Sequence, residues 1–333
     1  MHRPLQVSIW PWLACVPDRA CCLDTAMGGA YRPNRLDAFM GVVMEYRTLF
    51  GPTQFAQVNG IRVAYEVAGQ GYPLILVHGF PRTRWLWRKV APLLTSRFTV
   101  IAADLRGYGE TERPPEEASY NKRTMAEDHL ALMRHLGWDK FLVVGHDRGA
   151  SVARRLAMDH PETMPGCMIL DNLPIEWSFA QDSSFARNIW HWYLFLQRGF
   201  ADKLLGEHPE VFFSLFLGRR PHLEPDEMQY FIDVFSQPGA FEGVLGDYRT
   251  GFDIDRPQWE EDNAAGRKIQ VPVYLLWGAT GPARESSMLD LWRPLAADVR
   301  GEGIPGANHY FMETEPEETA RHILKFADEL GLP

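Results

Sequence analysis

Cysteine is scarce in this chain, four in 333 residues. Cys15, Cys21 and Cys22 fall in the first 22 positions, and Cys167 sits in an apolar run. That distribution excludes a disulfide framework and fits a reducing, cytoplasmic compartment. No stretch reaches the roughly 18 consecutive apolar residues of a membrane-spanning helix. Blocks of like charge are missing too. The formal net charge is −9 with acids and bases interspersed, which argues against nucleic acid as a partner. Neither an internal repeat nor a low-complexity tract is visible. What is present is apolar mass, 46% hydrophobic and 12% aromatic, enough to bury one large domain or a domain with an insert.

The first 50 residues do not resemble the rest. Tryptophan, proline, cysteine and arginine recur there without period, ahead of Gly28-Gly29. Prolines interrupt the apolar stretch Leu5 to Val16, and no cleavage site follows, so it does not qualify as a signal sequence. Residues 1–50 are expected to be a non-folding or non-native extension, with Met40 or Met44 as the natural start.

From Phe55 onward the pattern is regular. Phe55–Val58 and Ile61–Val67 alternate about Asn59-Gly60, a hairpin cue. Pro73–His78 and Phe98–Ala103 are continuous apolar strands, as expected of strands buried on both faces. Helical spacing runs over Thr83–Leu94 and over Thr124–Leu136, the latter stopped by Gly137. The Phe141 strand, a helix to about His160 and the strand Met168–Leu170 follow. Such alternation predicts a mostly parallel sheet flanked by helices. It breaks after Asp171, where aromatic-rich helical segments (Ile189–Leu196, Val211–Leu217, Met228–Phe235) run to about Arg256. The sheet resumes at Val271–Trp277 and Asp298–Ile304, and a helix, Pro316–Leu330, closes the chain. The expected division is therefore a core of 51–172 plus 257–333, with a helical insert of 173–256.

Chemistry-bearing residues gather where strands end, as reactive groups do in open α/β sheets. Gly145-His146-Asp147-Arg148-Gly149 is a G-x-S-x-G turn with aspartate in the serine position. A carboxylate at that bend, beside a helix N-terminus, stays ionised and can act as a nucleophile without a base to activate it. As an ordinary turn, the same pentapeptide would merely cap a helix through Asp147. His309, in Gly306-Ala307-Asn308-His309, follows the last strand as a candidate base. Asp171, at the end of the strand before the insert, is the better acid to orient it, because Gly278-Ala279-Thr280-Gly281 supplies none. In His78-Gly79-Phe80-Pro81, the Phe80 N–H can join the Arg148 N–H in holding an oxyanion.

These motifs, with Asp104-Leu105-Arg106-Gly107-Tyr108-Gly109, resemble the α/β-hydrolase superfamily over about Phe55 to Leu332. Within it they resemble the aspartate-nucleophile branch of haloacetate and haloalkane dehalogenases and epoxide hydrolases. The resemblance implies an α/β-hydrolase fold with a helical cap after the sixth strand, Asp147 as nucleophile, His309 as base and Asp171 as its acid. His191, Trp192 and Tyr248 are similar to the halide cradle of fluoroacetate and haloacetate dehalogenases, and imidazole, indole and phenol are suitable donors. By the same resemblance Arg148 grips the substrate carboxylate. Ser151 stands where those enzymes carry a second arginine, and a hydroxyl cannot replace that charge. Arg154, one turn further on, compensates only if its stem reaches back.

The function implied is hydrolytic dehalogenation of a small haloacid through an aspartyl ester, with no metal or organic cofactor. Partners would be a small-molecule substrate, with no nucleic acid and no membrane, and a homodimer stays open. The nearest rival is an epoxide hydrolase, with Tyr248 and either Tyr193 or Tyr230 protonating the epoxide. A non-catalytic receptor on the same scaffold is the rival of another class.

Overall fold

A computed structural model describes residues 44–217, 222–280 and 288–333; of the extension expected over residues 1–50, residues 1–43 lie outside them. The compact unit beginning at Met44 starts earlier than Gly51. Residues 44–50 are tied down in part by Glu66, whose Oε2 accepts the Leu49 and Phe50 N–H groups at 2.7 and 2.9 Å.

Eight strands form one sheet in the order β1-β2-β4-β3-β5-β6-β7-β8. They are β1 (Gln54–Val58), β2 (Ile61–Ala68), β3 (Tyr72–Val77), β4 (Phe98–Ala103), β5 (Leu142–His146), β6 (Cys167–Leu170), β7 (Val273–Gly278) and β8 (Val299–Ile304). The β1–β2 hairpin turns on Asn59 and Gly60, both at positive φ, so its register closes at Val58 opposite Ile61. β2 runs antiparallel to β4, and β3 to β8 are mutually parallel. Alternation along each strand sends Ile75, Val77, Val143 and Ile169 to one apolar face and Leu74, Leu76, Val144 and Met168 to the other. Both faces are covered, which is why these strands read as unbroken apolar runs.

Register brings the reactive ends together. Val77 pairs with Gly145, and His146 with Leu170. The Asp147 N–H donates to the Leu170 carbonyl at 3.2 Å, and the Asp171 N–H to that of Leu276 at 2.8 Å. Three adjacent strand ends, those of β3, β5 and β6, therefore deliver their terminal residues to one side.

The helix expected over Thr83–Leu94 is two short pieces, a 3-10 turn Arg84–Arg88 and the helix Ala91–Leu94. Thr83 caps the first turn, and the Leu86 N–H bonds to the Thr83 carbonyl with i+3 spacing. Pro92 then opens the second piece, since a residue without an N–H suits a helix start. The helix Lys122–His135 is capped by Asn121, which accepts from the Thr124 N–H at 3.0 Å. The final helix is Pro316–Glu329.

Between β6 and β7 the elements formed by the described residues are all helical. The expected segments correspond to Trp190–Phe195, Pro209–Leu217 and Pro225–Phe235. Helices Phe200–Glu207, Ala240–Thr250 and Arg256–Ala264 were not legible beforehand. A π turn at Gly251–Asp255 carries the helical path past the expected boundary at residue 256. Phe80, from the turn after β3, packs its ring at 5.5–6.0 Å against Phe195, Phe213, Phe216, Phe235 and Tyr248 of the insert. Among the described residues no helix is long and apolar enough to cross a membrane.

Candidate active site

Asp147 sits at the bend between β5 and the helix Arg148–Asp159, with φ 52° and ψ −118°. An L-residue adopts positive φ only where its surroundings enforce it. Here the enforcement is crowding. A Cβ on Gly145 would lie 2.4 Å from the Gly149 carbonyl oxygen, and one on Gly149 would lie 2.3 Å from that of His78. Both glycines are required for β5, the helix and β3 to approach this closely.

The carboxylate meets two donors. Its Oδ1 accepts the Phe80 N–H at 2.9 Å, and the Arg148 N–H also bonds to the carboxylate. Gly79 lies so near that a Cβ there would stand 2.4 Å from Oδ1. The two N–H groups expected to hold an oxyanion thus already converge on the aspartate. Their help does not keep its pKa in the ordinary range: burial raises it, and His309, Arg148 and the N–H bonds only partly offset that. The expectation of a carboxylate eased into ionisation by its helix is therefore too simple.

On the other side, His309 Nε2 is 3.7 Å from Asp147 Oδ2. Its Nδ1 forms a short hydrogen bond with Asp171 Oδ2, and Asp171 Oδ1 accepts the Gly278 N–H at 3.1 Å. A carboxylate on Nδ1 fixes the tautomer with Nε2 bare, facing Asp147. Asp171 is almost fully buried, whereas the side chains of His309 and Asp147 are 15% and 17% exposed. His309 and Asp147 reach the cavity, and Asp171, the most deeply buried of the three, is also among its lining residues.

That cavity has a volume of ≈ 180 Å³ and is lined by Asp147, Asn172, His191, Trp192, His309 and Tyr310, among others. This is room for about six waters at liquid density. His191 and Trp192 therefore lie on the same cavity as the carboxylate. Tyr248 is buried directly behind them, its ring 6.0 Å from that of His191 and 5.9 Å from that of Trp192. Burial, with the nearby Asp147 charge, pushes its phenol well above the usual range, so it is a donor at neutral pH. Tyr193 packs on Phe179 and Tyr230 on Trp85; like Tyr248, neither is among the lining residues, but only Tyr248 packs on both His191 and Trp192, which are.

Arg148 departs from expectation. Its guanidinium is buried against Asp247, with Nε 3.0 Å from Oδ2 and Nη2 2.6 Å from Oδ1 and 2.7 Å from the backbone carbonyl. Lys122 and Tyr108 also donate to Asp247. Although burial opposes its charge, Arg148 and Lys122 hold the Asp247 carboxyl well below the usual carboxylate range. The arginine assigned to a substrate carboxylate is thus spent on a carboxylate of the protein. Arg154 does not stand in for it, because it pairs with Glu176 at 2.8 Å and stacks on Trp259. Ser151 receives the amide of Asn172 at 3.2 Å.

Two residues passed over in the sequence, Asn172 and Tyr310, adjoin the site, as does His78, which the sequence placed in the Phe80 turn without a role of its own. Asn172 donates to the Asp147 carbonyl at 2.8 Å, and its place directly after Asp171 was the available signal. Tyr310, beside His309, lines the cavity. His78 is buried, its Nδ1 3.1 Å from the Gly79 carbonyl and its Nε2 accepting the Leu105 N–H at 3.0 Å. Burial, outweighing Asp104, lowers its pKa to about 4, so neutral His78 shapes the Phe80 turn. Among the described residues no cluster of three or more His, Cys, Asp or Glu is arranged to hold a metal.

The alpha/beta hydrolase fold family matches residues 72–316. The chain belongs to it. This α/β-hydrolase is 35% identical over 285 residues to a fluoroacetate dehalogenase from Burkholderia sp., covering 82% of this chain and 92% of that one. It is 33% identical to a soluble epoxide hydrolase from Corynebacterium sp. (strain C12), covering 81% and 95%. Among solved structures it is similar to a Pseudomonas aeruginosa protein assigned as an epoxide hydrolase and solved as a mutant with bound MFA. That similarity has a TM-score of 0.78 and 34% identity, over 85% and 98% of the two chains. The α/β-hydrolase family and these relatives establish a hydrolase.

Proposed function

We propose that this α/β-hydrolase is a hydrolytic dehalogenase of small organic halides, haloacetate included, acting through a covalent ester on Asp147. The observation that carries the reading is a single cavity. It is lined both by Asp147 and His309, with Asp147 Oδ2 3.7 Å from His309 Nε2, and by His191 and Trp192, whose ring N–H groups are suitable donors. Oδ2 forms a bond to carbon while the carbon–halogen bond breaks, and the electron pair leaves with the halide toward His191, Trp192 and Tyr248. Water then gives a proton to His309 Nε2 and its oxygen to the Asp147 carbonyl carbon. The Phe80 and Arg148 N–H groups receive the negative charge on Oδ1. Collapse breaks the ester bond, and the products are an alcohol or hydroxy acid, halide and one proton.

Arg148 joins in chiefly through its N–H, since its side chain is held by Asp247. The carboxylate of a haloacid therefore lacks the expected arginine fork, which favours tolerance of uncharged halides. A second reading, epoxide hydrolysis, is favoured by Tyr248, a buried phenol near Asp147 that can protonate an epoxide oxygen. The relative from Corynebacterium supports it. Halide release from fluoro-, chloro- and bromoacetate, followed with an ion-selective electrode beside hydrolysis of styrene oxide, separates the two. Diol formation without halide release from any of the three would transfer the assignment to the epoxide.

A further inference from the structure

His146 precedes the nucleophile, and nothing in the reaction above uses it. Its side chain is fully buried at the end of β5. Its Nε2 lies 3.0 Å from the backbone carbonyl of His309. A carbonyl only accepts, so Nε2 carries the proton and Nδ1 is left as a bare acceptor. Nδ1 is buried with no hydrogen-bond partner. An apolar side chain would fill this end of the sheet without stranding an acceptor; what histidine adds is the Nε2–H. The two imidazoles lie against each other in a tilted arrangement, with centroids 4.5 Å apart and planes inclined by 45°. His146 thus touches both the backbone and the ring of the residue proposed as base.

We propose that His146 is a positioning residue for His309: its Nε2–H and ring face hold the imidazole of residue 309 between Asp171 and Asp147. The assignment rests on the reading of Asp147 and His309 given above. Loops that follow separate strands carry these groups, and no covalent tie joins the loop of residue 309 to β5. The bond from His146 spans that gap. Several titratable or charged groups face His146. They are His309 and Tyr310 from the loop after β8, Arg82 from the turn after β3, and Glu313 from the helix Phe311–Thr314. Burial, then the adjacent His309, moves its pKa well below the ordinary histidine value, so the ring is neutral across the working range. A second positive charge at 4.5 Å would otherwise oppose protonation of the base, the event that ester hydrolysis requires.

The role is confined to the second half of the reaction, because attack by Asp147 needs no base. Single-turnover measurements on the full chain with chloroacetate and with styrene oxide separate the halves, with intact-mass detection of the Asp147 ester. In His146→Leu, ester formation is expected to stay within about threefold of wild type. Ester hydrolysis is expected to slow by roughly 10-fold or more, a fraction of the 10²–10⁴ typical of acid–base catalysis, and its pH profile to shift. His146→Gln, whose amide N–H reaches about as far as Nε2–H, is expected to restore most of the loss. Where the Leu variant does not fold, His146→Asn, polar but shorter, takes its place with the same expectation. Equal slowing of both halves, or an unchanged hydrolysis rate and pH profile, overturns the assignment while leaving the reading of Asp147 intact. Absence of any ester in wild type and in His309→Asn, with either substrate, overturns both.

Discussion

At the residue scale, the carboxylate of Asp147 is confined more than a helix cap would be. Asp147→Asn is expected to abolish turnover, and His309→Asn to trap an ester seen as a mass increment on the Asp147 peptide. Gly79→Ala would push a methyl group onto Oδ1 and the Arg148 N–H. Displacing those donors should cost about 10²–10³ in kcat, with little change in the far-ultraviolet dichroism. Asp255 offers a test of sign. Burial, opposed by Lys122, raises its pKa to about 6, and its Oδ2 is buried without a partner. A raised folded-state value means stability present below the unfolded pKa of about 3.9 and lost as pH rises through about 6. Asp255→Asn is therefore expected to raise Tm by a few degrees at pH 7, and the gain should vanish below about pH 4. Equal Tm values at pH 7 would refute it.

At the level of elements, the sheet and the elbow were readable because their signals are local. Continuous apolar runs mark doubly covered strands, and Gly145 and Gly149 flank a bend that tolerates no Cβ at either place. His309 and Asp171 were readable because each follows a strand, and strand ends converge. The ion pair of Arg148 with Asp247 was not. Ninety-nine residues separate the two, and no periodicity announces a contact made by folding an insert back onto the elbow helix. The tight turn Arg84–Arg88 was hidden because its spacing is helical, while Thr83 caps it and a break at Lys89-Val90 separates it from Ala91–Leu94. Asp247→Asn is expected to destabilise by roughly 3–5 kcal/mol, because it strands the buried charges of Arg148 and Lys122. Urea denaturation measures this, and a loss under about 1 kcal/mol would show the pair to be dispensable.

For the whole molecule, charge fastens the inserted helices to the sheet domain. Arg88 bonds both Glu227 of the insert and Glu313 of the core, and His222 adds a contact to Glu313 at 3.0 Å. Against the penalty of burial, Arg82, His222 and Arg88 hold the Glu313 carboxyl well below the usual range, as Arg148 and Lys122 do for Asp247. Lowered folded-state values give stability that is complete above the unfolded carboxylate pKa, about 4, and is lost as pH falls below it. Calorimetry between pH 7 and pH 3 should accordingly show Tm falling steeply below about pH 4.5, and Glu313→Gln should flatten that fall. The cavity has a divided origin. Asp147, Asp171 and His309 follow strand termini fixed by hydrogen-bonded register, whereas His191, Trp192 and Phe216 come from a separate run of helices. Substitutions in those helices can therefore remould what is admitted while the attacking and releasing groups keep their geometry, so a lineage could exchange one substrate for another without reinventing its chemistry.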